Sequence, residues 1–368
     1  MLYQILFLFM CSIVLLDEFS KSRNIKDSTV RAYCFAICKY ESFHGMSIEK
    51  LIDEAIEDEE CSIPLKSRRI RKRLLDFRNF LLCSGLSMNT VRTYFSRIKS
   101  FYRHFEIELP YLNDIKFDNG YLSSYYDLPT RKDIMEACSI SSLSFKAVVL
   151  FISSSGCAKA ETLSLTVGDF IRATKDYHSG GSIDDVLDEL SERRDIVPTF
   201  YLRRMKTGKF YYTFCSPEAS RYIVKYLSSR KGLSLDDKLF DFSDDALIYN
   251  FQKVNDRLGM GFVGNYRFFR SHSLRKFHAS NIGLSVDYVD ALQGRAKTKV
   301  HEAYIKTNPK KLKEIYMGAM HNVMIGEEWI EEWKNRNVDL EDENGQVIKK
   351  QEFNIIINLS LDGKDFRI

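Results

Sequence analysis

His272-Ser-Leu-Arg275-Lys-Phe-His278, then Leu292-Gln-Gly-Arg295, then His301-Glu-Ala-Tyr304 is the stretch on which the reading of this chain turns. Positions three apart on a helix share a face, so His272 and Arg275 project together. Gly283 supplies a helix stop. A histidine, an arginine and a later tyrosine form a phosphate-handling set. The guanidinium offers phosphate oxygens a planar fork of donors. The imidazole moves a proton near neutral pH. A phenol oxygen can form a covalent intermediate.

The rest of the chain is read outward from there. Its 368 residues suggest two or three domains of roughly 150 residues each. With 45% hydrophobic and 28% charged residues, a sizeable core is expected. The net charge of +4 decides nothing, but its distribution does. Residues 49–60 are acidic, whereas residues 66–103 carry Lys66, Arg68, Arg69, Arg71, Lys72, Arg73, Arg78, Arg92, Arg97, Lys99 and Arg103 against Asp76 alone. Such a block points to a polyanion such as nucleic acid, the plainer alternative being a solvated helical face. The eight cysteines include no Cys-x-x-Cys pair and no histidine cluster has zinc spacing, so they read as reduced residues of a cytosolic protein with no metal site. Residues 1–16 are apolar but shorter than the roughly 20 residues that span a bilayer. They lack the basic start and small-residue cleavage site of a signal peptide. They read as an N-terminal extension, with a short membrane tether as the lesser alternative and no membrane partner expected.

Taken in order, Asp27-Ser28-Thr29 caps a helix carrying Val30, Tyr33, Ile37 and Tyr40 on one stripe. An acidic helix follows over 48–60. Ile70, Leu74, Phe77 and Leu81 recur at helical spacing and turn their arginines outward. Ser87 opens another helix with Val91, Tyr94, Ile98 and Tyr102 buried. The spacing therefore predicts an all-helical, basic module over 17–107. Residues 108–127 show no period and read as a linker. A second domain over 128–325 opens on a capping box, Thr130 with Asp133. Its buried run 145–152 is interrupted at Gly156. Residues 198–205 and 210–215 read as strands joined by Lys206-Thr-Gly-Lys209. The expected fold is mainly α with a small antiparallel sheet. Residues 326–368 form a tail, whose hydrophobic run 353–361 is a candidate strand for docking on a neighbouring protomer or for pairing within the chain.

The order of parts is Gly156 to Glu161, a lysine in a hairpin turn, His-x-x-Arg, Gly294-Arg295, and a tyrosine nine residues on. This order resembles the catalytic domain of tyrosine recombinases, the phage-integrase family. The phrases around Arg295 and Tyr304 are most similar to archaeal or Firmicutes-like integrases of mobile elements. The resemblance covers about 128–320, and the basic module is similar to the family's core-binding domain. It implies a helical core-binding domain plus an α+β catalytic domain, and a site-specific recombinase that integrates or excises a mobile element. Double-stranded DNA would be the partner, with four protomers acting on two duplexes.

The resemblance also implies roles. Tyr304 would attack the scissile phosphate and give a 3′-phosphotyrosyl link. Arg275 and Arg295 would hold the non-bridging oxygens. His272 would orient the phosphate or exchange a proton with the tyrosine. Lys206, with Lys209 as competitor, would protonate the leaving 5′-oxygen. Glu161 would support the site, and Arg270 and Lys276 would contact phosphates beside Arg68, Arg69, Arg71, Lys72, Arg73, Arg92, Arg97 and Lys99. Cationic side chains do this work, so no metal or cofactor is called for.

The sequence departs from the family pattern twice. Where an arginine is usual between Gly156 and Glu161, this chain has Ala158 and Lys159, and alignment with the most similar subgroup selects Lys159. Lysine keeps the charge but loses the bidentate fork. Arg295 stands where histidine or tryptophan is more usual. The first departure keeps open a weakened enzyme, or a DNA-binding protein without activity. A type IB topoisomerase shares the chemistry and stays open as a third reading.

Overall fold

The computed structural model describes residues 14–113, 124–295 and 308–336. The protein is mainly helical, with two small two-stranded antiparallel sheets. The chain divides into two compact units, Met1–Gly120 and Tyr121–Ile368, each with its own hydrophobic core.

In the first unit residues 14–22 are helical, and Leu16 and Phe19 are buried. The last part of the predicted extension thus already belongs to the core. Four helices follow: α1 (Asp27–His44), α2 (Ile48–Glu60), α3 (Arg69–Cys83) and α4 (Met88–His104). Ser47 and Ser87 cap α2 and α4 through the backbone N–H groups of Lys50 and Thr90. The α3 stripe Ile70, Leu74, Phe77 and Leu81 is buried, and α4 buries Val91, Phe95, Ile98, Phe101 and Tyr102. Tyr40 and Tyr102 share a buried hydroxyl contact at 3.2 Å.

The second unit opens with α5 (Arg131–Ser139), held by the Thr130–Asp133 capping box. Then comes α6 (Leu143–Ser155), buried along most of its length. A helix apolar on nearly every side belongs at the centre of a domain, and two later helices pack on this one: α10 (Pro217–Ser228) and α12 (Ser271–Asn281). Gly156 ends α6 in the left-handed conformation, φ +66°. Short helices α7 (Lys159–Ser164), α8 (Val167–Ala173) and α9 (Ile183–Ser191) lead to β1 (Thr199–Arg203) and β2 (Phe210–Phe214). These strands pair antiparallel, Thr199 opposite Phe214 and Arg203 opposite Phe210. The turn closes where Arg204 N–H donates to Lys209 O (2.6 Å) and Gly208 N–H to Arg204 O (2.7 Å).

After α11 (Asp244–Arg257), the glycine-rich loop contains a second pair of strands, β3 (Phe262–Val263) and β4 (Tyr266–Arg267). Gly259, Gly261 and Gly264 mark a loop here in the sequence, but nothing in it marks this pairing. Beyond α12 lie α13 (Val286–Leu292), α14 (Pro309–Ala319) and α15 (Glu327–Arg336). Tyr316 on α14 is buried and donates to Ser154 O at 2.9 Å, which ties this helix to the end of α6. Trp329 on α15 joins the core beneath Arg194, whose guanidinium carbon lies 4.5 Å from the ring centroid. The hydrophobic run 353–361 lies outside the described residues. Among the described residues no helix is long and apolar enough to cross a membrane.

Candidate active site

Arg275 is the centre of the site. It stands on the middle turn of α12 and is only 6% exposed. Its Nη1 donates to Gly156 O at 2.5 Å and its Nη2 to Gln293 O at 2.9 Å. Gly156 and Gln293 are the C-caps of α6 and α13. Helix ends leave carbonyls without intrahelical partners and carry partial negative charge. One buried guanidinium thus ties together three helices. Among the described residues no carboxylate forms an ion pair with it. Burial, and then the charge of Arg204, pull its pKa below the ordinary arginine value.

Two glycines allow this close packing. A Cβ on Gly156 would lie 2.6 Å from His278 Nδ1, and one on Gly294 2.5 Å from Tyr211 Cδ1, with φ already positive at both. His278 is wholly buried, with Nδ1 3.0 Å from Gln293 Nε2, and its Nε2 has no hydrogen-bond partner among the described residues. Burial pushes its pKa down to about 3, so the ring is neutral at physiological pH. It is a packing group beneath Gly156.

His272, three residues before Arg275, is exposed at the surface of α12. Its pKa is nevertheless lowered, first by partial desolvation among its neighbours and then by Arg270, Lys276, Arg275 and Arg295. A ring open to solvent on one side and crowded by cations on the other stays neutral at pH 7. Arg295 donates its backbone N–H to Asp290 O (2.9 Å), and its Nη1 lies 3.3 Å from Asp290 Oδ1. Arg270 stacks on Tyr266 at 4.3 Å. Lys206 stands exposed in the β1–β2 turn.

Glu161 links the Gly156 box to that turn. It is 2% exposed, and its Oε1 accepts from Met205 N–H at 2.9 Å. Its Oε2 lies 2.8 Å from Arg204 Nη1 as an ion pair without hydrogen-bond alignment. Arg204, the partner of Glu161, is a residue that the sequence reading passes over. The signal available for it was its place one residue past Arg203 at the end of a strand, where side chains alternate. Lys159, by contrast, reaches away from these groups and pairs with Asp244 Oδ2 at 2.6 Å, on the first turn of α11. Tyr304 and His301 lie outside the described residues. Arg275, Arg295 and Arg204 therefore form a cationic cluster beside the neutral His272, with Glu161 and Asp290 as the carboxylates paired to it among the described residues.

The basic residues of the first unit divide into two sets. Arg68 pairs with Glu59 (2.7 Å), Arg69 with Glu57 and Asp58 (2.7 Å each), and Arg73 with Glu54 (2.9 Å). Asp58 is 1% exposed and also accepts from the Arg69 backbone N–H at 2.6 Å. These three arginines hold the acidic α2 against α3. Arg71, Lys72 and Arg92 are on the exposed side. Arg97 and Lys99 are half-buried, with Lys99 over the Phe95 ring at 5.0 Å.

The sequence matches no family profile and no curated protein. Among solved structures, the chain is similar to a XerH site-specific recombinase bound to difH substrate in a pre-cleavage complex. There the identity is 15%, the match covers 82% of this chain and 83% of that one, and the TM-score is 0.48. A lambda integrase tetramer bound to a Holliday junction gives 13% identity, 81% and 77% coverage, and a TM-score of 0.46. A XerA recombinase gives 16% identity, 83% and 97% coverage, and a TM-score of 0.34. What these comparisons find is thus a set of site-specific recombinases and integrases, at low identity and low scores.

Proposed function

We propose that this chain is a site-specific DNA recombinase of the tyrosine-recombinase type, with Tyr304 as its nucleophile. The observation that carries this reading is the buried Arg275 guanidinium, bound to two helix-end carbonyls and to no carboxylate among the described residues. A buried cation without a counter-charge is costly, and a bound anion relieves that cost. Beside it stand Arg295 and a neutral, solvent-reached His272. That is a site for a phosphodiester.

In the reaction, the Tyr304 oxygen attacks the scissile phosphorus as the bond from phosphorus to the 5′-oxygen breaks. The phenol proton passes to His272, which partial desolvation and then the surrounding cations keep unprotonated and able to receive it. Lys206 gives a proton to the departing 5′-oxygen. Arg275 and Arg295 hold the charge that develops on the non-bridging oxygens. The product is a 3′-phosphotyrosyl link and a free 5′-hydroxyl. Attack by a 5′-hydroxyl from another duplex reverses the step and exchanges strands. On this reading residues 17–107 bind the duplex, residues 128–325 carry the chemistry, four protomers act on two sites, and the outcome is integration or excision of a mobile element.

A library of nicked duplexes with randomised flanks tests this. The nick lets the short 5′-hydroxyl fragment diffuse away and traps the covalent intermediate. A covalent adduct formed by the native chain and lost in Tyr304→Phe is expected. No adduct with any duplex contradicts the reading.

A further inference from the structure

We infer that Arg204, where β1 enters the β1–β2 turn, supplies the phosphate-holding guanidinium that the Gly156–Glu161 segment lacks. This inference rests on the strand-cleaving reading above. Between Gly156 and Glu161 the chain offers Cys157, Ala158, Lys159 and Ala160. Ala158 has no polar side chain, and Lys159 is turned to Asp244. Left to those residues, one side of the phosphate would have no cation.

Arg204 is held where that cation is needed. Strand alternation sends Arg203 outward, toward the Phe210 ring, and Arg204 to the opposite side. Its backbone is fixed at both ends, by Lys209 O and by the Gly208 N–H. Its side chain is 15% exposed and meets the buried Glu161 carboxylate. Glu161 also receives the Met205 N–H, so the carboxylate grips the turn by one backbone and one side-chain contact. A guanidinium carries more N–H donors than one carboxylate oxygen occupies. Arg204 also lies close enough for its charge to bear on Arg275, which agrees with the lowered pKa there. With the buried Glu161 paired to Arg204 and no carboxylate paired to Arg275 among the described residues, the two guanidinium groups leave positive charge uncompensated until an anion arrives. The hairpin would then carry two parts of the chemistry, Arg204 holding the phosphate and Lys206 protonating the leaving group.

The test compares adduct formation on a selected nicked duplex with that on the same duplex carrying a methylphosphonate at the scissile position. The methyl group removes the charge of one non-bridging oxygen, and with it the need for one cation. Arg204→Ala is expected to slow adduct formation on the phosphate by about 10²-fold or more, the scale of losing one such donor. On the methylphosphonate it is expected to recover to within about tenfold of the native rate. Arg204→Lys keeps the ion pair with Glu161 but not the planar fork, and is expected to remain folded yet lose at least about tenfold. Equal losses on both substrates, or full activity in Arg204→Lys, make Arg204 a structural partner of Glu161 and overturn the inference. A native chain that forms no adduct at all overturns the strand-cleaving reading instead, and this inference with it.

Discussion

Lys159 Nζ lies 2.6 Å from Asp244 Oδ2, so the lysine in the Gly156–Glu161 segment is committed to the first turn of α11 rather than to Arg275. Both partners are partly exposed, and such pairs contribute about 1 kcal/mol or less. Lys159→Ala is therefore expected to slow adduct formation by less than about threefold, and Lys159→Arg to bring no gain, because the site needs a cation where Arg204 stands. Single-turnover rates of the three chains on one nicked duplex check this. A drop of 10²-fold in Lys159→Ala, the scale of a lost oxyanion donor, would give Lys159 the phosphate role and displace Arg204.

Gly156 is predicted to be intolerant of any side chain. A Cβ there meets His278 and Gln293 well inside contact distance, at a φ that L-residues avoid. Gly156→Ala is expected to lower stability by about 1–3 kcal/mol, through overpacking and backbone strain. Because the Gly156 carbonyl anchors Arg275, catalysis should fall further than unfolding alone explains. Denaturant midpoints, set against adduct rates measured well below them, separate the two effects.

His278 makes stability depend on acidity. Its folded pKa is about 3, against 6.5 for an unperturbed ring. Between those values the unfolded chain binds the extra proton, so stability is full above pH 6.5 and declines as pH falls toward 3. The contribution is on the order of a few kcal/mol. In His278→Gln the pH dependence of the unfolding free energy should flatten by about one proton over this window. An unchanged slope would mean that the ring is charged in the folded state.

The arginines of the first unit should fall into two classes in DNA binding. Arg71→Ala and Lys72→Ala each are expected to reduce the slope of log affinity against log salt by about 1, as loss of one phosphate contact does. Arg73→Ala should leave that slope unchanged and lower the melting temperature, because its partner Glu54 loses its counter-ion. Salt titrations of duplex binding together with thermal melts distinguish these. If all three lower the slope equally, the ion pairs with α2 open on binding.

The sequence displayed the periodic parts of this protein well and the convergent parts poorly. Ile70, Leu74, Phe77 and Leu81 bury as their spacing requires, and the two strands around Lys206 pair as read. The helix Val167–Ala173 shows no legible period although Thr166 and Asp169 form a capping box, because its seven residues are too few. The run of cations over 66–103 suggested one basic face. Ion pairing with Glu54, Glu57, Asp58 and Glu59 depends on how two helices pack, which a linear count of charges does not contain. Arg204 was invisible for the same reason. Its role depends on the register of a hairpin and on a buried carboxylate 43 positions earlier in the chain.

The central claim is a bond between one phenol oxygen and a DNA 3′-phosphate, and mass spectrometry of the nuclease-trimmed adduct tests it most directly. The account predicts a nucleotide mass on the peptide that contains Tyr304, and on no other. A nucleotide found on a serine, a cysteine or a different tyrosine would contradict it.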